Sequence, residues 1–159
     1  TMIYLAIHNK RDLARQLGVS ISDSWPVSPE ALPFFLETIN ENPHHEGWLN
    51  YLVVHKKDLM VMGDIGFLGS PGSDGTIEIG FSVVPEYRQK GYATQMVDYM
   101  VGWAFENQMV KKIIAHTLVE NQASMKILRN TGFKAVNQIE TEEGMQNLFA
   151  LGKASFSLV

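Results

Sequence analysis

The spacing of the hydrophobic residues changes near the middle of the first half of the chain. Up to residue 47, apolar residues recur at helical spacing in two segments, residues 2–17 and 29–40. Gly18 follows the first segment directly, and glycine commonly ends a helix. This part of the chain is therefore predicted to form helices. Loops are predicted at residues 22–29, around Trp25-Pro26, and at residues 42–47.

From residue 48 onward, β-branched and aromatic residues dominate, which is typical of strands. In the clearest strand, Ile77, Ile79, Phe81 and Val83 alternate with smaller or polar residues, and Pro85 ends it. The remaining pattern alternates helix and strand, so an α+β fold with crossover connections is expected. The predicted strands are residues 48–54, 59–68, 76–84, 112–117, 133–139 and 147–158, and the later helices are residues 91–107 and 121–132.

The composition is that of a globular protein, with 45% hydrophobic and 19% charged residues among 159. We expect a single domain over residues 1–159. The chain has no cysteine, which excludes disulfides and a thiol nucleophile. The net charge of −4 disfavours binding to nucleic acid, and no apolar run reaches the roughly 18 residues of a membrane span. No signal peptide is recognisable, so a cytoplasmic protein is expected, and a homodimer is left open.

The segment between the predicted strand and the next helix carries the clearest candidate chemistry. Arg88 and Lys90 lie in a short loop, and Gly91 and Ala93 stand at the start of the helix. The N–H groups of a helix start have no partner within the helix, and the helix dipole adds partial positive charge there. Small residues let an anion approach this backbone. The segment fits an anion site, although the same residues also fit an ordinary structural turn.

Three motifs in order resemble the GNAT superfamily of N-acetyltransferases. Arg88-x-x-Gly91-x-Ala93 is similar to the family's pyrophosphate-binding signature. Thr76 to Phe81 resembles the preceding strand, where many members carry a glutamate. Asn121-x-x-Ser124, followed by Gly132-Phe133, resembles the third motif, in the form found in the ribosomal-protein (RimJ/RimL-like) branch.

The resemblance implies a mixed, mostly antiparallel sheet flanked by helices, with acetyl-CoA bound where two strands splay apart. No metal is implied, and the adjacent histidines His44 and His45 lack a third ligand at a useful spacing. The pyrophosphate would lie on the signature loop, and the pantetheine arm would pair with backbone beyond Glu78, as an added strand does. The cofactor-binding residues implied are Phe81, Ser82, Val83, Val84, Arg88, Gln89, Lys90, Gly91, Tyr92, Ala93, Thr94, Asn121 and Ser124.

Glu78 is the candidate general base, because it faces away from Ile77 and Ile79 and the resemblance supports this role. A surface glutamate on the solvent face of the sheet is the alternative. Many members carry a tyrosine acid on the third-motif helix, but Leu128 stands in that stretch here. In the RimL-like branch a serine is proposed to act as the acid, which points to Ser124, and helix capping is the alternative.

The acceptor expected is a primary amine on a peptide or a small molecule. Aromatic side chains ahead of the sheet core could line its pocket, or could simply pack. The candidates are Trp25, Trp48, Tyr51 and Phe67.

Three further points stay open from the sequence. A non-catalytic acyl-CoA-binding module would keep the signature loop without needing Glu78. A nucleotide-phosphate binder could use the same loop. Met2 to Ala6 could also supply the edge strand that members of this branch carry at the N-terminus.

Overall fold

The computed structural model describes residues 2–156. These residues belong to two compact units. The first unit consists of residues 1–70 and 81–92, and the second of residues 71–80 and 93–159.

The first unit contains three helices, the first three strands and the end of the fourth. Strand β1 is parallel to β3, and β2 is antiparallel to β3 with a register shift between Val53 and Val54. A short 3-10 turn over Pro43–His45 precedes β2. The elements are α1 (Met2–His8), α2 (Lys10–Leu17), β1 (Ser20–Ile21), α3 (Ala31–Glu41), β2 (Asn50–His55), β3 (Met60–Phe67) and β4 (Thr76–Val83).

The N-terminal segment is two helices rather than one. The Asn9 side chain accepts a hydrogen bond from the Asp12 backbone N–H and caps α2, so the chain starts a new helix there. Gly18 ends α2 in the left-handed conformation, with φ of 66°, as predicted. The suggestion that Met2 to Ala6 forms an edge strand is wrong, because these residues are helical.

The second unit alternates helix and strand as predicted. Helix α4 buries the stripe of apolar residues that its pattern indicated, including Met96, Val97 and Met100. The last strand ends at Gly152 and a 3-10 turn follows, so its prediction was wrong for residues 153–155; residues 157–158 lie outside the described part of the chain. The elements are α4 (Tyr92–Glu106), β5 (Lys112–Leu118), α5 (Gln122–Asn130), β6 (Lys134–Thr141) and β7 (Gly144–Gly152).

The strands form a seven-stranded, mostly antiparallel sheet in the order β1-β3-β4-β5-β7-β6, with β2 also paired to β3. Strands β4 and β5 are parallel neighbours joined by α4, which is the crossover expected from the sequence. Their ladder contains three residue pairs and ends at Glu78 opposite Ile114, although the two strands continue to Val83 and Leu118. The predicted α+β fold is confirmed.

Each unit buries its own apolar residues. In the first, Leu13, Trp25 and Val84 are among the residues of a core cluster. In the second, Ile113 and Phe149 are fully buried on β5 and β7. Within residues 2–156, no helix combines the length and apolar character needed to cross a bilayer.

A buried carboxylate holds the loop after β1 against the strands of the first unit. Asp64 on β3 accepts hydrogen bonds from the indole N–H of Trp25 and from the hydroxyl of Ser82, both at 2.8 Å. Asn50 also contributes a hydrogen bond. Burial raises the pKa of Asp64, and the hydrogen bonds oppose that effect.

Asp64→Asn tests this network through pH. Because burial raises the pKa of Asp64 in the folded protein above its ordinary value of 3.8, the carboxyl favours folding when protonated. The contribution of the protonated carboxyl to the free energy of unfolding is complete below the pKa of Asp64 in the unfolded chain. It is lost as pH rises through the pKa of Asp64 in the folded protein. Asp64→Asn should therefore gain stability relative to wild type as pH rises above about 4, measured by urea denaturation.

The exposed Asp23, in the same loop, provides the control substitution Asp23→Asn. A stability difference between wild type and Asp64→Asn that does not change with pH would contradict the account.

Candidate active site

The loop between β4 and α4 has an unusual backbone. After a 3-10 turn over Pro85–Tyr87, Arg88 is extended, and Gln89 and Gly91 have φ of 60° and 82°. A non-glycine residue at positive φ costs about 1–3 kcal/mol, so the loop stores strain at Gln89. Apart from Gly91 and its two chain neighbours, no heavy atom of residues 2–156 lies within 4 Å of the position that a Cβ of Gly91 would occupy. The backbone here is open to a ligand, as the anion site requires.

Arg88 is fixed at the end of β4. Its Nε donates a hydrogen bond of 2.7 Å to the carbonyl of Val83. This carbonyl is one of the backbone groups predicted to meet the pantetheine arm, and one of its lone pairs is engaged by Arg88. The Arg88 side chain is exposed overall, and Lys90 is exposed beside it in the chain. Two cations therefore flank Gln89, which suits a pyrophosphate.

Aromatic residues and a histidine support this loop within the first unit. The Nε2 of His55 lies 2.9 Å from the hydroxyl of Tyr92, the first residue of α4. The Tyr87 hydroxyl donates to Asp58 at 2.7 Å, and this hydrogen bond, with desolvation, raises the pKa of Tyr87 to about 12. The ammonium of Lys90 lies 5.4 Å from the centre of the Tyr87 ring. The loop thus has fixed neighbours before any ligand binds.

Glu78 lies in the second unit, at the last pair of the β4–β5 ladder. It is 26% exposed, between the buried residues Ile77 and Ile79, as the alternation predicted. Its Oε1 is 2.5 Å from Nδ1 of His116 on β5. Sequence reasoning missed His116. The signal available was the alternation along β5. Ala115 and Thr117 are buried on one face of the strand, and His116 lies between them on the other, half-exposed face.

The third motif forms the start of α5. The Asn121 side chain accepts from the backbone N–H of Ser124 at 3.1 Å, which is an N-cap. Ser124 is half-buried on the first turn. Leu128 is 1% exposed and belongs to the core. The capping role expected of Asn121 is present, and a ligand contact by either residue stays a prediction.

The aromatic residues predicted to line an acceptor pocket have different environments. Trp25 and Phe67 are buried, 1% and 0% exposed, and a contact of either with an acceptor stays a prediction. Trp48 meets Phe67 edge-on, with ring centroids 6.0 Å apart. The exposed Tyr51 donates a hydrogen bond to the carbonyl of Gly47. A burial pattern of this kind favours the packing alternative at Trp25 and Phe67.

Of the two histidines in the loop before β2, His45 has its ring engaged with protein atoms. Nδ1 of His45 accepts from the backbone N–H of Ser70 and lies 3.0 Å from its hydroxyl oxygen. Among residues 2–156, no three side chains of histidine, aspartate or glutamate converge where they could hold a metal ion.

The predicted site residues divide between the two units. The first unit holds those from the end of β4 to the first residue of α4: Phe81, Ser82, Val83, Val84, Arg88, Gln89, Lys90, Gly91 and Tyr92. The second unit holds Glu78, Ala93, Thr94, Asn121 and Ser124. Within the first, hydrogen bonds link Arg88 to Val83; within the second, they link Glu78 to His116 and Asn121 to Ser124.

Comparison with known proteins connects this geometry to a family. Residues 2–134 match the Acetyltransferase (GNAT) domain family. An uncharacterized N-acetyltransferase of Bacillus subtilis, YjdG, is 34% identical over 121 residues, which cover 75% of this chain and 72% of that protein.

Solved structures share the fold. A ribosomal-protein-S5-alanine acetyltransferase from Vibrio fischeri superposes with a TM-score of 0.67 at 19% identity, over 96% of this chain and 87% of that one. A spermidine N-acetyltransferase from Vibrio cholerae, in complex with CoA and spermine, gives a TM-score of 0.66 at 16% identity, over 78% and 76%. With the family match over residues 2–134 and the relationship to YjdG, these observations show that the chain belongs to the GNAT family of acetyl-CoA-dependent N-acetyltransferases.

Proposed function

We propose that this enzyme transfers the acetyl group of acetyl-CoA to a primary amine by direct attack within a ternary complex. The observation that carries the proposal is the end of the β4–β5 ladder at Glu78. A carboxylate lies at the point where the pairing stops. The loop with the exposed cations follows the end of the same strand. Residues 1–159 would act as one acetyltransferase domain.

The cofactor half of the proposal rests on the loop and the helix that follows it. The pyrophosphate would accept hydrogen bonds from the first N–H groups of α4, from Tyr92 to Thr94, and from Arg88. The strained backbone at Gln89 and the open side of Gly91 support this use. Backbone groups of residues 81–84 would pair with the pantetheine amides, and Asn121 would add a contact while it caps α5.

The chemical half assigns Glu78 to the general base, acting directly or through water. An amine must lose one proton before its nitrogen can attack the thioester carbonyl. The C–N bond then forms, the C–S bond breaks, and the second proton of the nitrogen neutralises the departing thiolate. The Ser124 hydroxyl is proposed to donate to that sulfur, recovering its proton from the nitrogen. The net products are the amide, CoA and one proton.

The acceptor class is the finer part of the proposal. Candidates are a peptide N-terminus, a polyamine, an amino acid and an aminoglycoside-like amine. The net charge of −4 favours a cationic acceptor, and solved structures with this fold include an alanine acetyltransferase and a spermidine acetyltransferase. We further propose a cytoplasmic enzyme, and a homodimer remains a prediction.

The first experiment is thiol release from acetyl-CoA with spermine, an alanine-initiated peptide and an aminoglycoside. Because the chain has no cysteine, a thiol reagent reports CoA without background from the protein. Turnover with one of these amines supports the proposal. The proposal as stated would be contradicted if the protein bound acetyl-CoA but none of the three amines raised thiol release above the rate of acetyl-CoA hydrolysis.

Glu78→Gln should lower kcat by roughly 10²–10⁴ while acetyl-CoA binding changes little. The amide keeps the shape of the side chain and loses its basicity. Thiol release and calorimetric titration of acetyl-CoA measure the two effects. Glu140→Gln, at an exposed position of β6, is the matched control. Equal kcat in wild type and Glu78→Gln would remove the assignment.

Arg88→Ala should weaken acetyl-CoA binding by roughly 10- to 100-fold, since a hydrogen bond to a charged group contributes about 1.5–3 kcal/mol. Calorimetric titration measures it, with Arg11→Ala, an exposed arginine on α2, as the charge-matched control. If ATP bound the wild type and acetyl-CoA did not, the ligand assignment itself would be wrong.

A further inference from the structure

One contact near the ladder end is not explained by the base assignment alone. Glu78 on β4 and His116 on β5 meet through Oε1 and Nδ1 at 2.5 Å. Both side chains are about one-quarter exposed, 26% and 27%, so the pair is reachable from solvent on its sheet face. The cross-strand partner of Glu78 is Ile114, and His116 stands two residues further along β5, on the same half-exposed face.

The position of His116 on β5 extends the reach of the pair. The β4–β5 ladder ends at Glu78 and Ile114, so His116 lies beyond the last residue of β5 that pairs with β4. The proposed function needs an amine near the thioester, close to this end of the ladder.

The chemistry of an imidazole paired with a carboxylate is specific. When Nδ1–H donates to a carboxylate, Nε2 carries the lone pair and can accept a proton. The carboxylate fixes that tautomer and stabilises the imidazolium that forms. A carboxylate alone has no such second nitrogen to present.

We propose that His116 is the proton acceptor of the reaction and that Glu78 positions and stabilises it. This inference rests on the proposed amine acetylation. Nε2 takes one proton from the ammonium of the acceptor, and the neutral amine attacks the acetyl carbonyl. The C–S bond breaks after the C–N bond forms, and the nitrogen's second proton goes to the CoA sulfur. The imidazolium of His116 then releases its proton to solvent.

The strands on either side of β5 add no competing ionisable group. Along β4 the only ionisable residue of Thr76–Val83 is Glu78, and Gly144–Gly152 of β7 contains none. His116 is opposite Leu148 on β7. On β5 itself, Lys112 is exposed at the first position of the strand.

His116→Gln tests the proposal, because glutamine can still hydrogen-bond Glu78 and cannot act as a base. We expect kcat to fall roughly 10²- to 10⁴-fold, with KM for acetyl-CoA within a few-fold of wild type. In the wild type we expect kcat/KM to fall at acid pH, because a protonated His116 cannot accept a proton. In His116→Gln this fall should be absent or should occur at a different pH. The double variant with Glu78→Gln should be no slower than the slower single variant, since the two residues act as a unit.

The assay uses spermine, an alanine-initiated peptide and an aminoglycoside as acceptors, with a thiol reagent that works from acid to neutral pH. His44→Gln, at an exposed histidine before β2, is the matched control and should retain wild-type kcat. Circular dichroism and stabilisation by acetyl-CoA confirm folding of each variant.

The outcomes separate this inference from the proposed function. Unchanged kcat and pH profile in His116→Gln, together with a large loss in Glu78→Gln, would overturn the role of His116 and leave amine acetylation intact. A wild type that binds acetyl-CoA and acetylates none of the amines would instead count against the proposed function.

An NMR measurement tests the pair independently of turnover. Imidazole nitrogen shifts should show His116 with the proton on Nδ1 in its neutral form, and Glu78→Gln should change that tautomer balance or the titration of the ring. A proton on Nε2 in the neutral wild type would contradict the proposal.

Discussion

Strand β4 keeps its pairing with β5 for only three residue pairs, and Glu78, the candidate base, belongs to the last of them. A parallel ladder normally satisfies the backbone groups of both strands. Here the described ladder ends at Glu78 and Ile114, while both strands continue. Backbone N–H and C=O groups require partners, so a strand that continues past its ladder presents binding groups to a ligand with amides of its own.

The loop after β4 complements that constraint. Its backbone takes positive φ at Gln89 and at Gly91, and only the glycine does so without strain. Side-chain contacts hold the surrounding residues in place: Arg88 on the Val83 carbonyl, and His55 on the Tyr92 hydroxyl. Anchoring of this kind reduces the ordering that a ligand would otherwise have to impose, which is why a site on a loop can still bind well.

The sequence was sufficient for the features that depend on local pattern. Alternation along residues 77–83 predicted which face Glu78 occupies, and the helical stripe of α4 was right because apolar spacing determines the buried face. The division of the N-terminal segment into α1 and α2 was missed. The helical spacing of apolar residues continues through Asn9, although the Asn9 side chain caps a new helix there. At Trp25 and Phe67 the sequence left packing and a pocket open, because a buried aromatic and a pocket aromatic look alike in sequence, and their burial favours packing.

The pairing of His116 with Glu78 could not be predicted from the sequence, for a further reason. Its contact with Glu78 joins residues 38 positions apart, and it exists only because the register of two parallel strands places Glu78 opposite Ile114. Register depends on which faces of both strands are buried and on the connection between them, so one strand's sequence alone does not show it. The same holds for Asp64, whose partners Trp25 and Ser82 come from a distant loop and the neighbouring strand.

Amide hydrogen exchange with and without acetyl-CoA measures directly whether backbone beyond Glu78 and the start of α4 bind the cofactor, because N–H groups that donate to a ligand exchange more slowly. We expect slower exchange in residues 79–84 and 92–95 when acetyl-CoA is bound, with little change in β6. Unchanged exchange in both of these segments at saturating acetyl-CoA would contradict this binding.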